Sequence, residues 1–173
     1  MKLWTIQHRK FLDFATSKRL VANWERTPQN WRFAYRWMAA QWRARMRGPL
    51  DAAPIWCWHS CNGQIGAPPT VGTAAMLLGD WDYWATSMVV VELDVPSDLA
   101  LLSSYYRWNQ AVDEAFDASE DDICTRNFVD MFDAPLMKHD TDDIQAVIPE
   151  ICASWVIAMR PLPTDDVDWD QLI

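Results

Sequence analysis

Cys57, His59 and Cys61 stand at i, i+2 and i+4. In an extended backbone successive side chains alternate, so these three share one face. Thiolate and imidazole are zinc ligands, but structural zinc sites combine two sets of paired ligands. No second set is present, and Cys124 or Cys152 would have to complete the first. The pattern fits a buried cysteine beside a hydrogen-bonded histidine, and no metal is expected. A cysteine–histidine nucleophile would need Cys57 or Cys61 to meet His8 or His139, which nothing local arranges. The sequence lacks a G-x-S-x-G elbow, a phosphate-binding P-loop and a G-x-G-x-x-G turn, so serine hydrolases, P-loop NTPases and Rossmann enzymes are without their signatures. The acids of 113–143 could hold a metal, but a solvated acidic surface explains them as well.

Aromatic side chains beside basic ones are the footprint of base stacking with phosphate contacts. Trp24, Trp31, Trp37 and Trp42 interleave with Arg26, Arg32, Arg36 and Arg43. A core face with a solvated rim gives the same pattern. Twelve tryptophans are too many for a soluble surface, so most belong to the core. Trp37 lies off the main apolar stripe and is the indole expected to be exposed.

Charge is split along the chain. Residues 1–50 carry a balance of +9 and residues 51–173 one of −18, within a total of −9 over 173 residues. The basic segment can face its own acidic remainder or an anionic partner. The acidic total argues against indiscriminate nucleic-acid binding. No run approaches the ~18 apolar residues of a membrane span. MKLWTIQ lacks an apolar leader core, and the cysteines show no repeated spacing. A cytoplasmic protein with reduced thiols is the expectation.

The elements that must position these residues follow from periodicity. Residues 2–7 alternate as a strand with one buried face, and 9–21 read as a short helix. Thr27 as N-cap, Pro28 as first residue and Gly48-Pro49 as stop frame a helix over 28–47. Its apolar stripe is Trp31, Tyr35, Met38, Trp42 and Met46, and Arg45 borders that stripe. Residues 54–59 form a strand with Trp56 and Trp58 facing away from Ile55, Cys57 and His59. Residues 61–73 form a loop that could cover a ligand, and 76–78 a short strand. Ser87–Val95 is a strand ended by Pro96, and 99–102 continues extended. Tyr105–Phe116 is a helix, with a further one around Phe128–Phe132. Strands follow at 143–149 and 155–161. The whole reads as one α+β domain over 1–163, a small, twisted, mostly antiparallel sheet with helices. Residues 164–173 form an acidic tail that could dock on the basic helix.

LWTIQ, AYRWMAAQWRARM, PIWCW, VVVELDVPSDLALLSSYYRW and IQAVIPEICASWVI resemble, in the same order, a bacterial family catalogued as domain of unknown function 3841. That resemblance implies no activity. The arrangement of a first aromatic–polar strand, a helical insertion, a strand ending in a VP turn and a final I-x-x-I-P before a strand resembles the ADP-ribosyltransferase fold. That resemblance implies a cleft between two small sheets that cradles NAD. It implies functional positions near Thr5 on the first strand, near Trp56–Trp58 on a middle strand and at Gln145 on a late one. Thr5 stands where a basic residue is usual, with His8 three residues on. Gln145 stands where a carboxylate would steady a developing ribosyl cation. Thr5 and Gln145 are thus the catalytic candidates. Gln7, Trp56, Trp58, Arg43 and Arg45 are the ligand-binding candidates, the arginines for the pyrophosphate. The site would bind without reacting, or use Glu150 or Glu92.

Three functions follow as expectations. The first is a nucleotide-binding, ADP-ribosyltransferase-like domain, active or degenerate, with NAD and a macromolecular target. The second is a non-enzymatic regulator or inhibitor of phage or mobile-element type, presenting its acidic face to a basic protein as a nucleic-acid mimic. The third is a nucleic-acid-binding module using the Arg/Trp helix.

Overall fold

The computed structural model describes residues 1–14, 18–46, 48–78, 86–117, 128–136 and 143–163. Nine strands are described: β1 (Lys2–His8), β2 (Arg19–Leu20), β3 (Ile55–Cys61), β4 (Gln64–Ile65), β5 (Met88–Asp94), β6 (Leu101–Ser104), β7 (Ile144–Ile148), β8 (Ile151–Cys152) and β9 (Val156–Pro161). Three α-helices accompany them: α1 (Arg32–Arg45), α2 (Val71–Leu78) and α3 (Tyr105–Asp117). The main sheet runs β6-β7-β3-β1-β5-β9, with β4 on β3, and β2 pairs β8 separately. Every described strand pair is antiparallel. The expected mixed fold with an antiparallel sheet is therefore present.

The centre of the sheet has an unusual seam. β1 runs in register with β5 along its whole length, from Lys2 opposite Asp94 to His8 opposite Met88. β3 runs in register with β7 from Ile55 opposite Ile148 to Trp58 opposite Gln145. Between β1 and β3 the register is held at one pair, Trp4 opposite Trp58. The sheet is thus two antiparallel halves, β6-β7-β3 and β1-β5-β9, joined at that point. Beyond it, Ile6 and Gln7 part from Trp56 and Ile55.

Three apolar clusters fill the two faces. α1 buries Ala34, Trp37, Met38, Ala39 and Trp42 against Leu101 and Val147 of the sheet and Trp108, Ala111 and Val112 of α3. Each buried Trp removes about 150–250 Å² from water, and the Trp42 N–H is satisfied by the Leu99 carbonyl at 3.3 Å. The opposite face packs Leu3, Ile55, Cys57, Val91, Leu93, Ala146 and Ile148. Trp4, Trp58, Val90 and Leu162 form a third cluster near the seam.

Several local expectations change. β1 buries both faces rather than one, because Leu3 and Trp4 enter different clusters. Residues 9–21 contain a 3-10 turn over Arg9–Phe11 and the short strand β2 rather than one helix. The Arg19 and Leu20 backbone is taken by Cys152 and Ile151, so tertiary pairing overrides local preference. Residues 76–78 end a helix, not a strand; short apolar runs carry no decisive period. The Thr70 hydroxyl starts that helix by accepting from the Thr73 N–H at 3.2 Å. Thr27 does not cap α1: a 3-10 turn over Gln29–Trp31 intervenes, and the Thr27 carbonyl accepts from Arg32 Nε. Trp37 is buried, 24° from coplanar with Phe132 at 6.0 Å, because the 3-10 helix Val129–Leu136 covers that side of α1. The acidic tail and five of the eleven acids of 113–143 (Glu120, Asp121, Asp122, Asp140 and Asp142) lie outside the described residues. No described helix is long and apolar enough to cross a membrane.

Candidate functional site

Where the two sheet halves part, a cavity of about 380 Å³ opens. Ile6 and Gln7 of β1 form one wall, and Ile55–Trp58 of β3 the other. Tyr35 of α1 and Tyr105, Trp108 and Asn109 of α3 close one end, and the segment 20–31 forms the rim. That volume lies within the usual range for small-molecule sites, ~300–1,000 Å³.

The lining is dominated by aromatic rings. Trp56 and Trp108 lie 4.5 Å apart between centroids, tilted by 35°. Tyr35 lies 5.5 Å from Trp56 and 6.0 Å from Trp108, and Trp31 meets Tyr35 edge-on at 6.0 Å. Tyr105 meets Trp58 edge-on at 4.7 Å. Burial pushes the Tyr35 phenol up to about 12, so it is neutral and can donate. The neighbouring Trp56 N–H opposes that shift. The cavity thus has flat faces for a ring.

Polar groups are few and neutral. Gln7, Asn23, Asn109 and Gln145 line the wall. Gln145 is buried opposite Trp58, and its amide donates to Ser103 Oγ at 3.2 Å. The Thr5 hydroxyl donates to the Trp56 carbonyl at 2.7 Å and accepts from Gln7 Nε2 at 2.9 Å. Thr5 therefore acts behind the wall, tying the strands together and fixing Gln7. Among the described lining residues there is no Asp, Glu or His, and Arg26 is the one charged group.

Four of the residues expected at the site, Gln7, Trp56, Trp58 and Gln145, meet at this cavity, with Thr5 directly behind them. The two arginines fall elsewhere. Arg43 donates to the Leu50 carbonyl at 2.8 Å. Arg45 lies 4.3 Å over the Phe132 ring and donates to Gln41 Oε1. Both sit past Tyr35 on α1, on faces turned from the cavity. Glu92 and Glu150 are also committed: Glu92 holds Lys2 at 2.9 Å and Arg160 at 3.5 Å, and Glu150 pairs with Arg19. Residues missed in the sequence are Tyr35, Tyr105 and Trp108, while Arg26 stood there only among the arginines interleaved with tryptophans. Tyr35 and Trp108 read as core positions of helical stripes, and only the packing of α1 on α3 turns them to one space.

The cysteines near the site are inert. Cys57 and Cys61 are buried, and burial pushes both thiols up to about 12, far from nucleophilic thiolates. His59 is held below its ordinary value by burial. Among the described residues no group of three metal-ligating side chains occurs.

The family model described as domain of unknown function (DUF3841) matches residues 2–157, and the chain belongs to that family. No curated protein and no solved structure matches it.

Proposed function

For this DUF3841 chain we propose an ADP-ribosyltransferase-like domain that binds a dinucleotide of the NAD type in the seam cavity and holds it without transferring ADP-ribose. One observation carries the reading. Thr5, Trp56–Trp58 and Gln145, far apart in sequence, come together on adjacent strands β1, β3 and β7, around a cleft between two sheet halves. Those are the positions that the ADP-ribosyltransferase resemblance assigns to the ligand.

The residues present suit such a ligand. A flat ring gains stacking and apolar contact from Trp56, Trp58, Tyr105 and Trp108. Gln7, Asn109 and Gln145 offer amide donors and acceptors to a carboxamide or ribose hydroxyls. When bound, NAD supplies a scissile bond between nicotinamide and ribose. Breaking it develops positive charge on the ribose, which a nearby carboxylate would stabilise. The described lining has no carboxylate, and Gln145 presents a neutral amide. The chain's own residues therefore bind and orient the ligand, keep water from its ring face, and leave the bond intact.

The test is tryptophan fluorescence during NAD titration, corrected for inner-filter absorption. Saturable quenching, weakened in Gln145→Ala and Trp58→Phe, is the expected result. Trp58→Phe keeps a ring at a buried position where alanine would leave a hole. An unchanged signal up to millimolar NAD sinks the proposal, as does equal binding by both folded variants.

A further inference from the structure

We propose that Arg26 is the specificity-determining residue of the cavity, selecting a flat-ring ligand that carries an anionic group at the rim. This rests on the reading of the cavity as a ring-binding site, and adds the charge of the ligand.

The first observation is the electrostatic make-up of the space. Every described lining group is neutral except the Arg26 guanidinium. Arg26 has no carboxylate partner among the described residues, although the chain as a whole is strongly acidic. An unneutralised guanidinium beside a low-dielectric wall attracts an anion more strongly than one in open water.

The second observation is how firmly the residue is placed. Arg26 ends a 3-10 turn over Trp24–Arg26. Asn23 caps that turn by accepting from the Glu25 N–H at 2.9 Å, and the Thr27 N–H closes it on the Trp24 carbonyl at 3.2 Å. The Trp24 indole fastens it to the Asp51 carbonyl at 2.8 Å. The guanidinium itself lies 4.1 Å over the Phe11 ring. A contact with the Phe11 ring face uses none of the guanidinium's acceptor-seeking capacity and leaves N–H groups for hydrogen bonds. Those groups match phosphate or carboxylate geometry. Phe11 also lines the cavity, so ring and cation share one rim.

A ligand that seats its ring among the indoles would meet Arg26 with whatever group projects from the mouth. A phosphate is favoured there; a neutral or cationic substituent is not.

Two pairs of probes separate ring binding from anion selection: adenosine with adenosine 5′-monophosphate, and nicotinamide riboside with nicotinamide mononucleotide. Each pair shares a ring and differs by one phosphate. In the parent chain the phosphorylated member of the pair that binds should do so about tenfold tighter, corresponding to about 1.4 kcal/mol. Arg26→Gln should remove that difference and leave the unphosphorylated member unchanged, and Arg26→Lys should keep part of it. The advantage should shrink with added salt. Arg26 is exposed, so these variants fold. Equal affinities within a pair in the parent chain would overturn the assignment of Arg26 while leaving the ring site standing. A difference that survives Arg26→Gln would overturn it too. Failure of all four probes and of NAD would instead remove the ring site itself.

Discussion

The Thr5 hydroxyl donates to the Trp56 carbonyl at 2.7 Å, bridging β1 and β3 where their strand pairing has ended. A backbone carbonyl released from a ladder needs a partner when it is buried. Thr5 supplies it, and through a second bond, accepted from Gln7 Nε2, holds Gln7 at the cavity wall. The relationship explains a hydroxyl in a strand whose other buried residues, Leu3 and Trp4, are apolar.

Thr5→Val keeps the shape and removes the hydroxyl. The Trp56 carbonyl then loses its partner, at a cost of about 1–3 kcal/mol. Urea unfolding should show a lower midpoint with an unchanged slope. Ligand affinity should fall as well, because Gln7 loses its anchor. An unaltered midpoint would show that water replaces the hydroxyl without penalty.

Trp108→Ala should be among the most damaging changes in the cavity wall. Trp108 is 3% exposed and packs on both Trp56 and Tyr35. Large-to-small changes of this kind cost about 3–5 kcal/mol. Thermal unfolding checks it, and Trp108→Phe should recover much of the loss.

Glu92→Gln tests whether the buried glutamate is structural. Glu92 draws Lys2 and Arg160 together across β1, β5 and β9, away from the cavity. Losing its charge should cost about 1–3 kcal/mol of stability. NAD titration should give the parent affinity. A folded variant that no longer binds ligand would return Glu92 to the site.

Alkaline pH should destabilise the fold. Burial raises the thiols of Cys57 and Cys61 from 9.0 to about 12, and the Tyr35 phenol from 10.0 to about 12. The unfolded chain releases these protons at lower pH than the folded one. Stability is therefore full below about pH 9 and falls as pH rises towards 12. Urea midpoints between pH 8 and 11 should decline, less steeply in Cys57→Ala. A flat profile would show that these groups keep ordinary values.

Strand and helix identity was largely legible in the sequence where local pattern and burial agree. Val89–Val91 and their neighbours form β5 because β-branched residues suit a strand buried on both faces, and the α3 stripe around Trp108 and Val112 has a helical period. Residues 9–21 and 76–78 were misleading because short segments take the conformation that their tertiary partners impose. At the site, the resemblance to the ADP-ribosyltransferase fold singled out Gln7, Trp56, Trp58 and Gln145, but not the ring of aromatics around them. Tyr35, Tyr105 and Trp108 are indistinguishable in sequence from ordinary core residues, since periodicity reports which face is buried and not what it is buried against. The same holds for cations: Arg43 and Arg45 look like ligand groups beside an apolar stripe, while Arg26 sits in an irregular segment with no period. The sequence alone determined that indoles and amides would recur on two inner strands. Only the tertiary structure decided that β1 and β3 pair at Trp4 and Trp58 alone, because strand pairing depends on segments distant in sequence, and that Tyr35, Tyr105 and Trp108 line the space beside them. That arrangement turns a tryptophan-rich core into a cavity with one charged rim.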